Sequence, residues 1–472
     1  MEREMALSLS SLARMRVRIP ATVLVTLVMV VLAVAAAIGA IALSGTKTGF
    51  VLSLAAVLGP ITLYLALVRP LLFPFGIFVL LVPFDNLLTF STASTLTRGL
   101  AILSGLAIAV FLLRTRRFVK PDRGLIVWVA LLLLMFVSFA WSYDTQAGAA
   151  LLMTWTQLFL LYAAITFLPV DERTLRSVVS LVLAGGVLAS LYGAYVFHAG
   201  LDVSNNGRLF LTNDEATIDP NHFAAALILP FAIALSAVAS ARRLPVRLFA
   251  GVTIAILAIG LAIAGSRGGL IACAAIMVYL CIRSRHRVTL GAIGLAGAAL
   301  GLAFHGDVLA RFSTAMSSGG AGRADIWRVG LVAFREHWLF GAGFGSFPVA
   351  FDQAFLRVSE SYYTSWHRAP HNILIGTAVE LGIVGLVILC LGWWCEFRAL
   401  RIVPPNDRLY ELRIALEAAV IGLFISGFFL DIMIRKYVWL AFILVALTRN
   451  VVRSRPRARV MMNTLPSMEH RT

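Results

Sequence analysis

Residues 365–372 read Ser-Trp-His-Arg-Ala-Pro-His-Asn, and from Ile373 to Cys395 the chain is then apolar apart from Thr377 and Glu380. A helix needs about 20 such residues to cross a bilayer at 1.5 Å rise each. The stretch therefore marks a polar segment ending where the chain enters lipid. Behind it, residues 306–371 form the longest polar interruption in the sequence, whereas the other gaps between apolar runs are short. A chain can hold a large polar substrate only where enough of it lies outside the hydrocarbon, so the site is sought around this loop.

Apolar runs recur from Ala21 to Leu447. They read as about fourteen spans, at 21–43, 50–68, 70–84, 98–113, 124–141, 147–168, 174–198, 222–240, 247–265, 268–282, 288–304, 372–395, 412–430 and 436–448. Of 472 residues 60% are hydrophobic and 13% charged, and the mean hydropathy is +0.90. This composition excludes a soluble domain. The expected fold is all-α, a polytopic transmembrane bundle of about 12–14 helices with a large helical loop on the side opposite the cytoplasm. It divides into N-terminal transmembrane helices (1–305), the loop (306–371), and C-terminal transmembrane helices with a basic cytoplasmic tail (372–472). The segment 70–84 is short and holds Pro74 and Pro83, which also fits a re-entrant turn. Run 21–43 follows Arg14, Arg16, Arg18 and Pro20 like a signal peptide, but its length and the spans after it favour an uncleaved first helix. Cys273, Cys281, Cys390 and Cys395 lie in or beside apolar runs without metal-like spacing and read as packing residues.

The net charge of +17 is explained by where the charges fall. Most Lys and Arg sit in short gaps such as Arg114–Lys120, Arg242-Arg243 and Arg283–Arg287, which with a cytoplasmic N-terminus is the positive-inside pattern. Basicity thus reports topology, and nucleic acid is not an expected partner. On the opposite side Arg208, Arg267, Arg311, Arg323, Arg328, Arg335, Arg357 and Arg368 run against that bias.

Four stretches could carry chemistry. Gly265-Ser-Arg-Gly-Gly269 puts Arg267 at a junction of two apolar helices, where an arginine is costly unless paired or functional; a snorkelling interfacial arginine is the plain alternative. Gly320-Ala-Gly-Arg-Ala-Asp-Ile-Trp-Arg328 reads as a helix start, whose free N–H groups favour an anion, with Arg323 the preferred phosphate ligand over Arg328. His371-Asn372 follows Pro370 at a helix N-terminus and offers an imidazole as general base near neutral pH; His367 is its rival. Glu380, two turns further in, is expensive in lipid and is expected to pair with an arginine such as Arg267. In Arg208–His222, Asp219-Pro-Asn221 reads as a turn and N-cap, and the alternative reading has Asp214, Glu215 and Asp219 hold sugar hydroxyls or a cation. Gly341, Gly343 and Gly345 do not form a P-loop, lacking a preceding strand and a following lysine, and are expected to pack aromatics against the bilayer edge.

Taken in order, Asp219-Pro-Asn-His-Phe-Ala224, Gly265-Ser-Arg-Gly-Gly269, Gly322-Arg-Ala-Asp-Ile-Trp327, Phe340-Gly-Ala-Gly-Phe-Gly345, His371-Asn-Ile-Leu374 and Glu380-Leu-Gly-Ile-Val-Gly385 resemble the O-antigen ligase and polymerase superfamily. These are bacterial membrane glycosyltransferases that use polyprenyl-linked glycans. The resemblance implies an inner-membrane, multi-pass enzyme with a periplasmic site. Arg267 and Arg323 would hold the diphosphate of an undecaprenyl-linked donor, and His371 would activate an acceptor hydroxyl. Inversion at the anomeric carbon, no metal and no cofactor are also implied. Arg208, Asp219, Asn221, Arg328, His367 and Glu380 are possible supporting residues. The acceptor would be lipid A-core or a growing glycan, with membrane lipids around the protein; a protein acceptor is a further option. A transporter or lipid flippase is the rival class, and ionisable pairs at the midplane would favour it.

Overall fold

The computed structural model describes residues 59–91, 94–201, 208–209, 211–212, 217–304, 323–358 and 366–455. Helices dominate them: α1 (Gly59–Val68), α2 (Phe75–Leu81), α3 (Leu96–Thr115), α4 (Arg123–Val137), α5 (Thr145–Thr166), α6 (Glu172–His198), α7 (Pro220–Ser240) and α8 (Leu244–Ala264). They continue with α9 (Arg267–Arg283), α10 (Arg287–Phe304), α11 (Arg323–Glu336), α12 (Phe347–Val358), α13 (Ile373–Ala399), α14 (Tyr410–Gly427) and α15 (Lys436–Ser454). Two short antiparallel ribbons, β1 (Thr89–Ser91) with β2 (Ser94–Thr95) and β3 (Leu211–Thr212) with β4 (Thr217–Ile218), complete an all-α bundle.

Among the described residues eight helices are long and apolar enough to cross a membrane, namely α3 to α8, α13 and α15. The other six of the fourteen expected spans fall short of that length or composition, or lie wholly or partly outside the described residues. Run 21–43 lies outside the described residues. Segment 70–84 is seven residues of α2 followed by a 3₁₀ stretch, Val82–Leu88, too short to cross and consistent with its two prolines. Helix α9 has 17 residues, and α14 carries Glu411, Arg413 and Glu417 in its first turns. Apolar composition counts hydrophobicity without counting breaks.

Helices α7 and α15 are buried along most of their length, while little of α4 and α8 is buried. Leu113, Ile126, Ile282 and Val288 are among the exposed apolar side chains facing the lipid. Lipid is as apolar as these side chains, so close packing and polar contacts hold such helices together. Tryptophans supply much of that packing. Trp155 meets Trp439 edge-on at 5.0 Å between ring centroids, and Trp128 stacks on Phe442 at 5.4 Å.

Polar contacts gather at the two ends of the bundle. At one end the last turns of α13 and α15 meet α4 and α5. There Glu396 accepts from Trp128 Nε1 at 2.9 Å and from the Tyr162 hydroxyl at 2.5 Å, and Asn450 donates to the carbonyls of Ile165 and Leu168. At the other end the first turns of α3, α7, α9, α13 and α15 are tied together. Lys436 bonds Asp85 and Thr95, and Ser266 bonds Asn221. Of the outlying arginines, Arg208, Arg267 and Arg323 lie at this end.

One break within α13 shapes that end. Gly382 adopts φ 68° and ψ −168° inside the helix, which opens the ladder at Val379 and Glu380. The freed carbonyls accept from Ala342 N and Gly343 N at 2.8 and 2.9 Å, and Ile383 N donates to Trp338 O at 2.8 Å. The Gly341–Gly345 turn therefore patches a broken helix, satisfying polar backbone that lipid cannot. Its Phe344 and the following Phe347 are buried in the protein, while Trp338 and Phe340 just before it are exposed, so only part of its aromatic set turns outward as expected. A Cβ at Gly382 would stand 2.2 Å from the Leu339 carbonyl oxygen. Gly382→Ala is expected to destabilise the protein by about 3 kcal/mol or more, read as a fall in melting temperature in detergent; an unchanged melt would contradict this account of the break.

Candidate active site

The start of α7 is built as the sequence suggests. Asp219 caps it, accepting from Asn221 N at 2.6 Å, with Pro220 in the first turn. Asn221 Oδ1 then receives two donors, Arg208 Nη2 at 3.0 Å and Ser266 Oγ at 2.9 Å. Ser266 is itself the N-cap of α9, accepting from Gly269 N, and Gly265 turns the chain from α8 into α9 in the left-handed conformation. Arg208 Nε donates to the Ala264 carbonyl at 3.1 Å, closing the end of α8. Arg208 and Asn221 thus join three segments. Asp214 and Glu215 lie outside the described residues, as do Arg311 and the glycines before Arg323.

Arg267 and Arg323 each open a helix, α9 and α11, and both are half-buried. Among the described residues neither guanidinium makes an ion pair. Burial pulls the pKa of Arg323 down, Asp219 opposes that, and the charges of Arg267 and Arg208 add to it. Like charges held together this way are stabilised when an anion enters.

His371 stands beside them. Trp327, one turn after Arg323, donates Nε1 to the Pro370 carbonyl at 3.2 Å, fixing the residue before His371 against α11. Asn372 caps α13 by accepting from Leu374 N and Ile375 N. Between these two anchors His371 is forced to φ 44°, a conformation uncommon for a residue with a side chain. Burial first, then the charges of Arg323 and Arg368, hold its pKa below the ordinary histidine value, and Asp219 pulls the other way. The imidazole is therefore a neutral base at neutral pH.

Other candidates are placed elsewhere. His367 is exposed and gripped by Asp352 of α12, through Nδ1 at 2.6 Å and the backbone N at 2.8 Å. Arg328 points to the surface and pairs with Asp325 at 3.7 Å. Glu380 does not bond Arg267. Its Oε1 accepts from Phe347 N at 3.3 Å, at the start of α12, because backbone donors at a helix N-terminus can serve a carboxylate as well as a cation can. With Asp431 and Thr377 it lines a cavity of about 40 Å³ beneath Pro370.

Three residues at this end escaped the sequence reading. His222, the second residue after Pro220, bonds the Tyr437 hydroxyl through Nδ1 at 2.9 Å and Arg435 Nη2 through Nε2 at 3.3 Å. The charges of Arg435, His371 and Arg323 all act on it. Arg435 was a legible signal, since it stands with Asp431 and Lys436 between two apolar runs.

Residues 252–390 match the family model described as O-antigen ligase. The match supports the O-antigen ligase and polymerase superfamily for this stretch of the chain. The matched stretch holds Arg267, Arg323, His371 and Glu380; Arg208, Asp219 and His222 fall before it, and Asp431, Arg435 and Tyr437 after it. The match supports glycan transfer of the O-antigen ligase or polymerase type in general. The comparison with curated proteins finds no match.

Proposed function

We propose that the chain transfers a glycan from an undecaprenyl-diphosphate carrier to an acceptor hydroxyl at the periplasmic face of the inner membrane, with inversion and without a metal. The observation that carries this reading is the pair of half-buried guanidiniums, Arg267 and Arg323, without an ion-pair partner among the described residues and beside His371. His371 takes the proton of the acceptor hydroxyl. The oxygen attacks the anomeric carbon from the face opposite the carrier, and the bond to the diphosphate breaks. Negative charge grows on the departing diphosphate where the two arginines stand, so they stabilise the transition state more than the ground state. Two fixed positive charges supply the compensation for which such reactions otherwise use a divalent ion. Lipid A-core or a growing glycan is the acceptor class.

The ionisable groups support chemistry over transport. Glu396 and Arg449 lie near the ends of α13 and α15, and the Arg413–Glu417 pair, at 2.9 Å, lies in the first turns of α14.

The test is transfer by the reconstituted full chain, supplied with an undecaprenyl-diphosphate-linked glycan and either lipid A-core or a second donor molecule. Product on lipid A-core identifies a ligase and chain extension a polymerase. Absence of both would overturn the reading.

The pH dependence follows from His371. Its pKa is lowered, so the base form is fully present above about 6.5, the ordinary value, and is lost only as pH falls through the lower folded value. Turnover is expected to be flat above neutrality with an acid limb whose midpoint lies below 6.5. A limb at or above that value would contradict the burial and Arg323 argument.

A further inference from the structure

We propose that the Tyr437 hydroxyl and Arg435 Nε, set on two edges of the His222 ring, bind phosphate oxygens of a substrate beside Arg323. The proposal rests on the proposed function and adds residues to its anion site.

The argument begins with the direction of the hydrogen bonds. Arginine has donors only, so in the contact with Arg435 Nη2 the His222 Nε2 must accept. The neutral ring then carries its proton on Nδ1. That proton is donated to the Tyr437 oxygen, 2.9 Å away, and the Tyr437 proton is turned away from His222. Among the described residues the hydroxyl has no second partner. Arg435 Nε is likewise buried without one. Two donors are thus left unsatisfied around one ring, and a buried unsatisfied polar group is costly.

Electrostatics points to what satisfies them. Arg323 and His371 act on His222, while Asp219 and Asp431 act on Tyr437. Neither carboxylate accepts from the Tyr437 hydroxyl or from Arg435 Nε among the described residues. Acceptor oxygens on an anion lying along Arg323 would take both donors. In a diphosphate one phosphate would lie on Arg267 and Arg323 and the other on this unit; a phosphate on the acceptor has the same chemistry. His222 is a positioning residue in either case, since it acts by aiming Tyr437.

The experiment uses the reconstituted full chain with two glycan-free competitors, undecaprenyl diphosphate and undecaprenyl phosphate. Tyr437→Phe keeps the ring and removes the hydroxyl; Arg435→Lys keeps charge and removes Nε. Each variant is expected to weaken inhibition by the diphosphate about tenfold and inhibition by the monophosphate much less, with kcat changed less than KM for the donor. His222→Gln, which can still accept and donate, should retain more of the preference for diphosphate than His222→Ala. A rise in KM for a phosphorylated acceptor alone, with both competitors unaffected, would support the phosphate site and assign it to the acceptor. Unchanged constants in Tyr437→Phe and Arg435→Lys would overturn the proposal, leaving the two donors to water. If the wild-type protein is inhibited by neither lipid, the undecaprenyl-diphosphate reading itself fails and this inference with it. Matching melting temperatures separate these outcomes from misfolding.

Discussion

Replacing His371 is expected to lower transfer by about 10²- to 10⁴-fold, the usual contribution of a positioned general base, with little change in KM for the donor. The residue's backbone complicates the obvious variant. At φ 44° alanine would add left-handed strain of about 1 kcal/mol or more, so a loss in His371→Ala alone could reflect a displaced loop. His371→Gly and His371→Asn remove that ambiguity, because both residues accept this conformation. All three should be similarly inactive, and the glycine and asparagine variants should melt near the wild type. Added imidazole should restore part of the turnover in His371→Gly, where the ring's space is left open. Transfer retained in the glycine and asparagine variants would show that another group is the base. The structure makes His367 a poor replacement, since Asp352 holds it at the exposed surface.

The contrast between the two histidines shows what could be seen in the sequence. A polar loop ending at an apolar helix placed both near the membrane surface, and Pro370 and Asn372 marked the helix start. Nothing in linear order revealed that Trp327 would hold Pro370 and so bring His371 to Arg323, or that Asp352 would take His367. Arg267 and Arg323 were legible because arginine against the topological charge bias needs a cause. The Arg435–His222 contact was not, because it joins residues 213 positions apart, and no pattern within either segment reports it. Glu380 stood out in the sequence as a carboxylate that needs a partner in lipid. Its partner was misjudged because the helix break at Gly382 supplies a turn whose N–H groups do what a cation was expected to do. The bundle itself follows from hydropathy, but Pro74 and Pro83 show why counting apolar runs overstates crossings.

Arg323 offers a second large effect and a check that links it to His371. Arg323→Ala is expected to reduce kcat/KM by about 10²- to 10³-fold, the range for removing one donor to a developing oxyanion. Arg323→Lys should fall between, since a lysine keeps the charge but lacks the planar fork that matches phosphate oxygens. A residue that merely held α11 in place would predict the same loss, so the pH profile decides between roles. The Arg323 charge lowers the pKa of His371; removing it leaves burial and Arg368 opposed by Asp219, and the pKa rises. The acid limb of the residual activity in Arg323→Ala should therefore move to higher pH, while in Arg323→Lys it should stay close to that of the wild type. An acid limb that does not move in the alanine variant would separate Arg323 from the base and confine it to binding. A limb that moves, together with the loss of kcat/KM, places one guanidinium in both tasks: it receives the leaving diphosphate and it keeps the neighbouring imidazole free of its proton until the acceptor hydroxyl supplies one.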